Sequence, residues 1–212
     1  MDVADESKGL QKVFAARNNR ELSEGYDAWA ERYDQDVLRF GYKIPAIVTG
    51  FVGRYLRPDD GTVLDAGVGT GILGETLKLL GYESLVGIDL SEGMLEKARQ
   101  KGVYRTLHQM VLGERLDLLN DAFAGTVSVG VFTAGHAPPD SFEELIRATK
   151  AGGYIIFSIR MDIYLNEGFK DKQGALEREK RWQLAEVSEA FRSLPFLREP
   201  QAESRVFVYE VC

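Results

Sequence analysis

The sequence predicts an α/β fold, a mostly parallel sheet flanked by helices, with a helical segment in front of it. Three observations carry this. From residue 62 onward, short apolar runs alternate with amphipathic stretches, the rhythm of strands joined by crossover helices. A glycine-rich turn, Gly67-Val68-Gly69-Thr70-Gly71, joins the first apolar run to the first amphipathic stretch. Before residue 62 the pattern is helical in two or three pieces and contains no strand, so residues 8–56 cannot extend a sheet.

The elements follow in order. Residues 62–66 form the first strand. Residues 72–80 read as a helix, with Ile72, Leu73, Thr76, Leu77 and Leu80 on one face, and Gly81 ends it. Residues 85–88 are a second strand. Ser91 caps a helix whose inner face is Met94, Leu95 and Ala98. A third strand spans about 104–110, followed by an irregular connection over 112–122. Residues 126–132 are a fourth strand, and Pro138-Pro139-Asp140 opens a helix over 142–149. Ala151-Gly152-Gly153 reads as a turn before a β-prone fifth strand at 154–159. A polar helix over about 172–192 and a last strand at 204–211, expected as an antiparallel edge, complete the chain.

Composition bounds the function. The 212 residues suit one domain of ordinary α/β size, and 44% hydrophobic with 28% charged residues is the balance of a soluble globular protein. A formal net charge of −7 disfavours a phosphate-backbone partner. The densest basic stretch, Lys170 to Arg181, is interrupted by Asp171, Glu177 and Glu179 and reads as a solvated helix face. No nucleic acid is expected as a partner. No membrane is expected either, since no apolar run approaches the ~20 residues of a span. The opening Met1-Asp2-Val3-Ala4-Asp5-Glu6 is acidic, which predicts neither a secretory signal nor a transit peptide. One cysteine, Cys212, fits a reducing, cytoplasmic setting. With only His108, His136 and that thiol, no zinc-ligand cluster is expected and no metal is assigned.

The central signal is Val63-Leu64-Asp65-Ala66-Gly67-Val68-Gly69-Thr70-Gly71. In open α/β sheets the ligand lies beyond the carboxyl ends of the strands, where this Rossmann-like loop falls. Two carboxylates frame it. Asp65 sits on the strand, and Asp89 ends the next one, where it can accept both hydrogen bonds of a ribose diol. Gly69-Thr70-Gly71-Ile72-Leu73-Gly74 also matches the dinucleotide pattern G-x-G-x-x-G, which would suggest NAD. Asp65 argues for the other reading. It would repel a pyrophosphate and attract an ammonium group, and S-adenosylmethionine (SAM) carries an ammonium and no phosphate.

The sequence resembles class I SAM-dependent methyltransferases over about residues 62–160 and the final strand. The loop from Asp65 to Gly71 is similar to the family's first motif. Ile88-Asp89-Leu90-Ser91-Glu92-Gly93-Met94-Leu95-Glu96-Lys97-Ala98 resembles its acidic strand end and following helix, and Lys150-Ala151-Gly152-Gly153-Tyr154 its turn before the fifth strand. Tyr26-Asp27-Ala28-Trp29-Ala30-Glu31-Arg32-Tyr33-Asp34-Gln35-Asp36-Val37 and Gly130-Val131-Phe132-Thr133-Ala134-Gly135-His136 resemble a narrower group, that of the methyltransferase-like protein of the Williams–Beuren syndrome region. The resemblance implies a seven-stranded sheet and SAM as cofactor, with S-adenosylhomocysteine (SAH) as product. It implies that Asp65 and the loop backbone at Gly67 hold the methionine part, that Gly69 and Gly71 also belong to the cofactor site, that Asp89 binds the ribose, and that Leu90, Met94, Val111 and Leu112 flank the adenine. Two departures stand out: the third-strand loop reads Met110-Val111-Leu112-Gly113 without the family's usual aspartate, and Phe123 is followed by Ala124 rather than an acid.

Methyl transfer from a sulfonium is an in-line displacement, so alignment is the main task and a base is needed only for a protonated acceptor. Phe132 and Thr133 end the fourth strand beside the expected methyl group. His136, just beyond them, reads either as a general base or acceptor anchor or as an ordinary loop histidine. Tyr26, Trp29 and Tyr33 share one helix face, either closing over SAM or packing on the core. Arg160 and Tyr164 read as acceptor-pocket or surface residues. The chain thus divides into an N-terminal helical cap over 1–57 and a SAM-binding domain over 58–212. The leading function is methyl transfer to a small-molecule acceptor by a monomer or homodimer. A non-catalytic SAM- or SAH-binding protein acting through partner contacts, and an NAD-dependent oxidoreductase, are the alternatives.

Overall fold

The computed structural model describes residues 8–197 and 203–212. The acidic opening segment, Met1 to Glu6, read above for targeting signals, lies outside them. Among the described residues, three helices precede the first strand: α1 (Lys8–Phe14), α2 (Asn19–Arg39) and α3 (Ile44–Tyr55). There follow β1 (Val63–Ala66), α4 (Ile72–Leu79), β2 (Leu85–Asp89), α5 (Glu92–Lys101), β3 (Thr106–Gln109) and β4 (Phe123–Phe132). The chain continues with α6 (Ser141–Ala148), β5 (Thr149–Arg160), α7 (Met161–Asn166), α8 (Phe169–Arg178), β6 (Trp182–Val187) and β7 (Ser204–Val211). None of the described helices is long and apolar enough to cross a membrane.

The strands form one seven-stranded sheet in the order β3-β2-β1-β4-β5-β7-β6. The first five run parallel, and β7 is antiparallel to both its neighbours. Both faces are covered. Along β7, Phe207 and Tyr209 join Phe132, Phe142, Phe157 and Trp182 on one side, while Val206 and Val208 join Val48, Val52 and Leu77 on the other. Helix α2 starts where Asn18 accepts a hydrogen bond from the Glu21 N–H at 2.9 Å, and α5 starts where Ser91 accepts from Met94 N–H at 3.1 Å.

Three expectations are corrected. The polar helix expected over 172–192 ends at Arg178, and residues 182–187 are strand β6. Gln183, Leu184, Ala185 and Glu186 are good helix formers, but pairing with β7 and the stacking of Trp182 on Tyr209 at 4.0 Å override that preference. In consequence β7 is antiparallel but internal, and β6 takes the edge. The turn expected at 151–153 is absorbed into β5, which starts at Thr149 opposite Phe123 and passes an irregularity before Tyr154 pairs with Gly125.

Candidate functional site

The strand order reverses at β1 and β4, so a crevice opens at the carboxyl ends of β1, β2 and β4. The glycine loop forms its floor. Gly67 and Val68 both donate backbone N–H bonds to the Ile88 carbonyl, at 2.8 and 2.9 Å, which docks the loop on β2. Gly67 has φ of +82°, and a Cβ there would lie 2.1 Å from Val131 Cγ2. The position therefore requires glycine twice over, for its backbone angle and for the approach of β4. A Cβ at Gly69 would meet nothing within 4 Å, so the loop leaves open space above this residue.

Asp89 stands at the loop's edge. Its Oδ2 accepts the Gly69 N–H at 2.8 Å and its Oδ1 the Ser91 N–H at 2.9 Å. Burial pushes its carboxyl up to about 6, with the Ser91 and Gly69 N–H groups opposing the rise. Asp65 is almost fully buried beneath the loop, and Tyr104 donates to its Oδ2 at 2.6 Å. Burial pushes Asp65 up to about 7; the Tyr104 hydrogen bond lowers it and the Asp89 charge raises it.

Three cavities meet here. The first, of about 690 Å³, is lined by Tyr26, Tyr33, Gly67, Gly69, Asp89, Leu90, Met94, Val111, Leu112 and His136 among others. A smaller one of about 330 Å³ continues past the loop to Asp65 and Thr70. The second large cavity, of about 660 Å³, lies beside the first; Phe132, Thr133, Arg160 and Trp29 are in its wall. Tyr26, Tyr33 and Gly130 line both large cavities, and Tyr33 lines all three. Neither the first cavity nor the small one has a lysine or arginine among its described lining residues.

The expected site residues are thus distributed rather than pooled. Gly71 lines none of these cavities and instead caps α4 in the left-handed conformation. Phe132 and Thr133 face the second cavity, and Phe132 also packs 4.8 Å from Phe142 in the core. Trp29 is mostly buried and donates its indole N–H to Asp36 at 2.8 Å. Tyr164 packs on Phe207 instead of lining the crevice. Lys172, expected on a solvated face, pairs with Asp140 and Glu143.

Helix α2 does two jobs. Its aromatic face carries Tyr26, Trp29 and Tyr33, with Trp29 and Tyr33 4.7 Å apart. A neighbouring face holds the crevice loops. Ser23 donates to the Leu90 carbonyl, Asp27 accepts from Ser91 Oγ at 2.6 Å and from the Gly93 N–H at 2.8 Å, and Asp34 binds Thr70 Oγ1 and Lys101. These contacts were not anticipated, nor was Tyr104. Gly74 offered a signal for the latter: the last glycine of the apparent dinucleotide pattern makes room for the Tyr104 hydroxyl, which a Cβ there would meet at 2.2 Å.

His136 projects from the loop after β4 into the wall of the first cavity. Its Nδ1 lies 2.9 Å from the Ala134 carbonyl and its Nε2 2.8 Å from the Tyr26 hydroxyl. A carbonyl only accepts, so Nδ1 carries the proton and Nε2 accepts from Tyr26. Burial lowers the His136 pKa below its ordinary value and the Arg160 charge adds to this, while the Ala134 hydrogen bond raises it. The ring is therefore neutral at physiological pH. Burial raises the phenols of Tyr26, Tyr33 and Tyr42, which stay protonated.

Residues 64–157 match the family described as "Methyltransferase domain". The chain is 32% identical to human "Methyltransferase-like protein 27" over 164 residues, covering 74% of this chain and 66% of that protein. It is 27% identical to "Demethylmenaquinone methyltransferase" of Symbiobacterium thermophilum over 157 residues, 70% of this chain and 62% of that protein. The chain thus spans somewhat less than two thirds of the length of these relatives. In structure it is similar to a TehB-like SAM-dependent methyltransferase from Corynebacterium glutamicum, with TM-score 0.62, 22% identity, and coverage of 87% of this chain and 99% of that one.

Proposed function

As this chain belongs to the class I SAM-dependent methyltransferases, we propose that it moves the SAM methyl group onto a small molecule held in the second cavity. The observation that carries this is the shared wall. Tyr33 touches all three cavities, so a cofactor spanning the first and the small one has its middle at the entrance to the second.

The residues fit the cofactor by their chemistry. SAM supplies an electrophilic methyl on a sulfonium, together with an ammonium and a ribose diol. Asp89 faces the first cavity with one lone pair on each oxygen already engaged and others left to accept a diol. Asp65 supplies a second carboxylate to the small cavity. Leu90, Met94, Val111 and Leu112 all line the first cavity and offer apolar surface to a purine. The described walls of these two cavities carry no lysine or arginine, while Asp65 and Asp89 both line them, a charge balance that suits an ammonium group better than a pyrophosphate.

The raised carboxyls make affinity depend on pH. Asp65 titrates near 7 and Asp89 near 6 in the ligand-free protein, and a cationic ligand favours their ionised forms. Binding then releases protons, and SAM affinity should rise from about pH 5.5 and level off above about pH 8. Titration calorimetry at pH 7 in buffers of different ionisation enthalpy measures the release directly. A flat affinity across that range would remove both carboxylates from the cofactor site.

The helices before β1 serve as a lid in this reading. Asp27 clasps the turn that follows Asp89, so a ligand that orders the turn should also order α2. Hydrogen exchange is expected to slow over residues 20–36 when SAH binds. Equal protection with and without SAH would make α2 a fixed part of the core.

A further inference from the structure

Building on the methyltransferase reading, we infer that the second cavity takes a phenol bearing a carbonyl or carboxylate oxygen at its far end, and that Tyr26 receives the phenolic proton while passing its own to His136. Three features of the cavity carry this. Its described walls include Phe14, Trp29, Tyr33 and Tyr42 but no aspartate or glutamate. Aromatic walls suit a flat apolar ring, and the missing carboxylate leaves an ammonium acceptor without a counter-charge.

Second, the Tyr26–His136 pair stands at the partition between the two large cavities. Tyr26 lines both, and its hydroxyl already donates to His136 Nε2 at 2.8 Å. With its proton committed there, the Tyr26 oxygen can only accept from a group in the second cavity, which selects an acceptor that arrives as O–H. The groups facing His136 are Phe14 from α1, Tyr26 from α2 and Arg160 at the end of β5. None is an acid that would hold the ring charged beforehand.

Third, Arg160 lies in the same cavity. Its Nε and Nη2 pair with Asp162 at 3.1 and 2.5 Å, while among the described residues Nη1 reaches only Thr133 Oγ1, at 3.5 Å. Nη1 and Thr133 together present donors to an oxygen acceptor.

The step balances. The phenolic oxygen gains the methyl carbon as the carbon–sulfur bond leaves its electron pair on sulfur. The phenolic proton moves to Tyr26 Oη, and the Tyr26 proton moves to His136 Nε2, which later gives it to solvent. The products are a methyl ether and SAH.

The test uses the SAH-loaded 212-residue chain and three probes in calorimetry: para-hydroxyphenylpropanoate, phenylpropanoate and para-ethylphenol. The first should bind at least about tenfold more tightly than either truncated probe, as loss of one such hydrogen bond implies. Tyr26→Phe should erase its advantage over phenylpropanoate, and Arg160→Gln its advantage over para-ethylphenol. Nitrogen-15 NMR adds a readout that simple packing would not move: the His136 ring resonances should shift with the phenolic probes, and not in Tyr26→Phe. Equal affinities for the three probes, or no binding of any of them, overturn the inference while SAH binding leaves the methyltransferase reading intact. Failure to bind SAH itself overturns both.

Discussion

Replacing Asp89 with alanine is expected to weaken SAM and SAH binding by about a hundredfold, the equivalent of two charge-assisted hydrogen bonds at ~1.5 kcal/mol each. The substitution removes the acceptors for the ribose and also strands two N–H groups. The Gly69 and Ser91 N–H groups each point at one Asp89 oxygen, so the loop floor and the turn into α5 lose their common anchor. Calorimetry at about pH 8, where the carboxyl is ionised, measures the affinity, and circular dichroism checks that the sheet persists. Asp89→Asn separates the two effects. Its one carbonyl oxygen can hold one of the N–H groups, while its amide nitrogen turns a donor toward the other. Affinity should fall for the asparagine as well, by less than for alanine. Unchanged affinity in Asp89→Ala would remove this residue from the ribose.

The local parts of this site were legible in the sequence because their chemistry is compressed into short stretches. The strand, the glycines and the helix start all lie within residues 63–72, and Asp89 ends the next strand, so pattern and spacing suffice to bring them together. What escaped was made by distant segments. Tyr104 reaches Asp65 across 39 residues, and Asp27 reaches Gly93 across 66. The second cavity draws on α1, α2, the ends of β4 and β5, and the segment around Ser193 and Leu194, none of which announces a neighbour in its own composition. His136 was legible as a position but not as a partner, because its tautomer depends on Ala134 and on a tyrosine 110 residues earlier.

The misread segment shows the same limit from the side of the fold. Residues 182–187 have helical composition and an exposed edge, and what ties them to the sheet is backbone pairing with β7 and the Trp182 ring against Tyr209, Phe142 and Phe157. A strand at an edge keeps polar residues on its outer side, so the alternation that reveals a half-buried strand is blurred there. Phe132 shows a related limit. It ends β4 as expected, yet its ring packs among Phe142, Phe157 and Phe169, which leaves Gly130 and Val131 to form the wall next to the glycine loop.

Gly67→Ala should be the most damaging single change in the loop, with a loss of ~2–5 kcal/mol of stability. Part comes from the backbone: φ of +82° is a left-handed conformation that costs an L-residue ~1–2 kcal/mol. The rest is steric, because the added methyl would lie 2.1 Å from Val131 Cγ2 and must push β4 away from β1, an overpacking cost of ~1–3 kcal/mol. In a chain of this size the sum corresponds to a melting temperature lower by roughly 5–15 °C. The displaced loop would carry Gly69 and its bond to Asp89 with it, so SAH affinity should fall in parallel. The two components separate in a double substitution. Val131→Ala removes the atom that the new methyl meets, so Gly67→Ala with Val131→Ala should recover the steric part and keep the backbone part, a coupling of ~1–3 kcal/mol in a double-mutant cycle. Thermal melts of the wild type, both single variants and the double variant measure it. Strict additivity would mean that β4 does not press on the loop at Val131, and the requirement for glycine at 67 would then rest on its backbone angle alone.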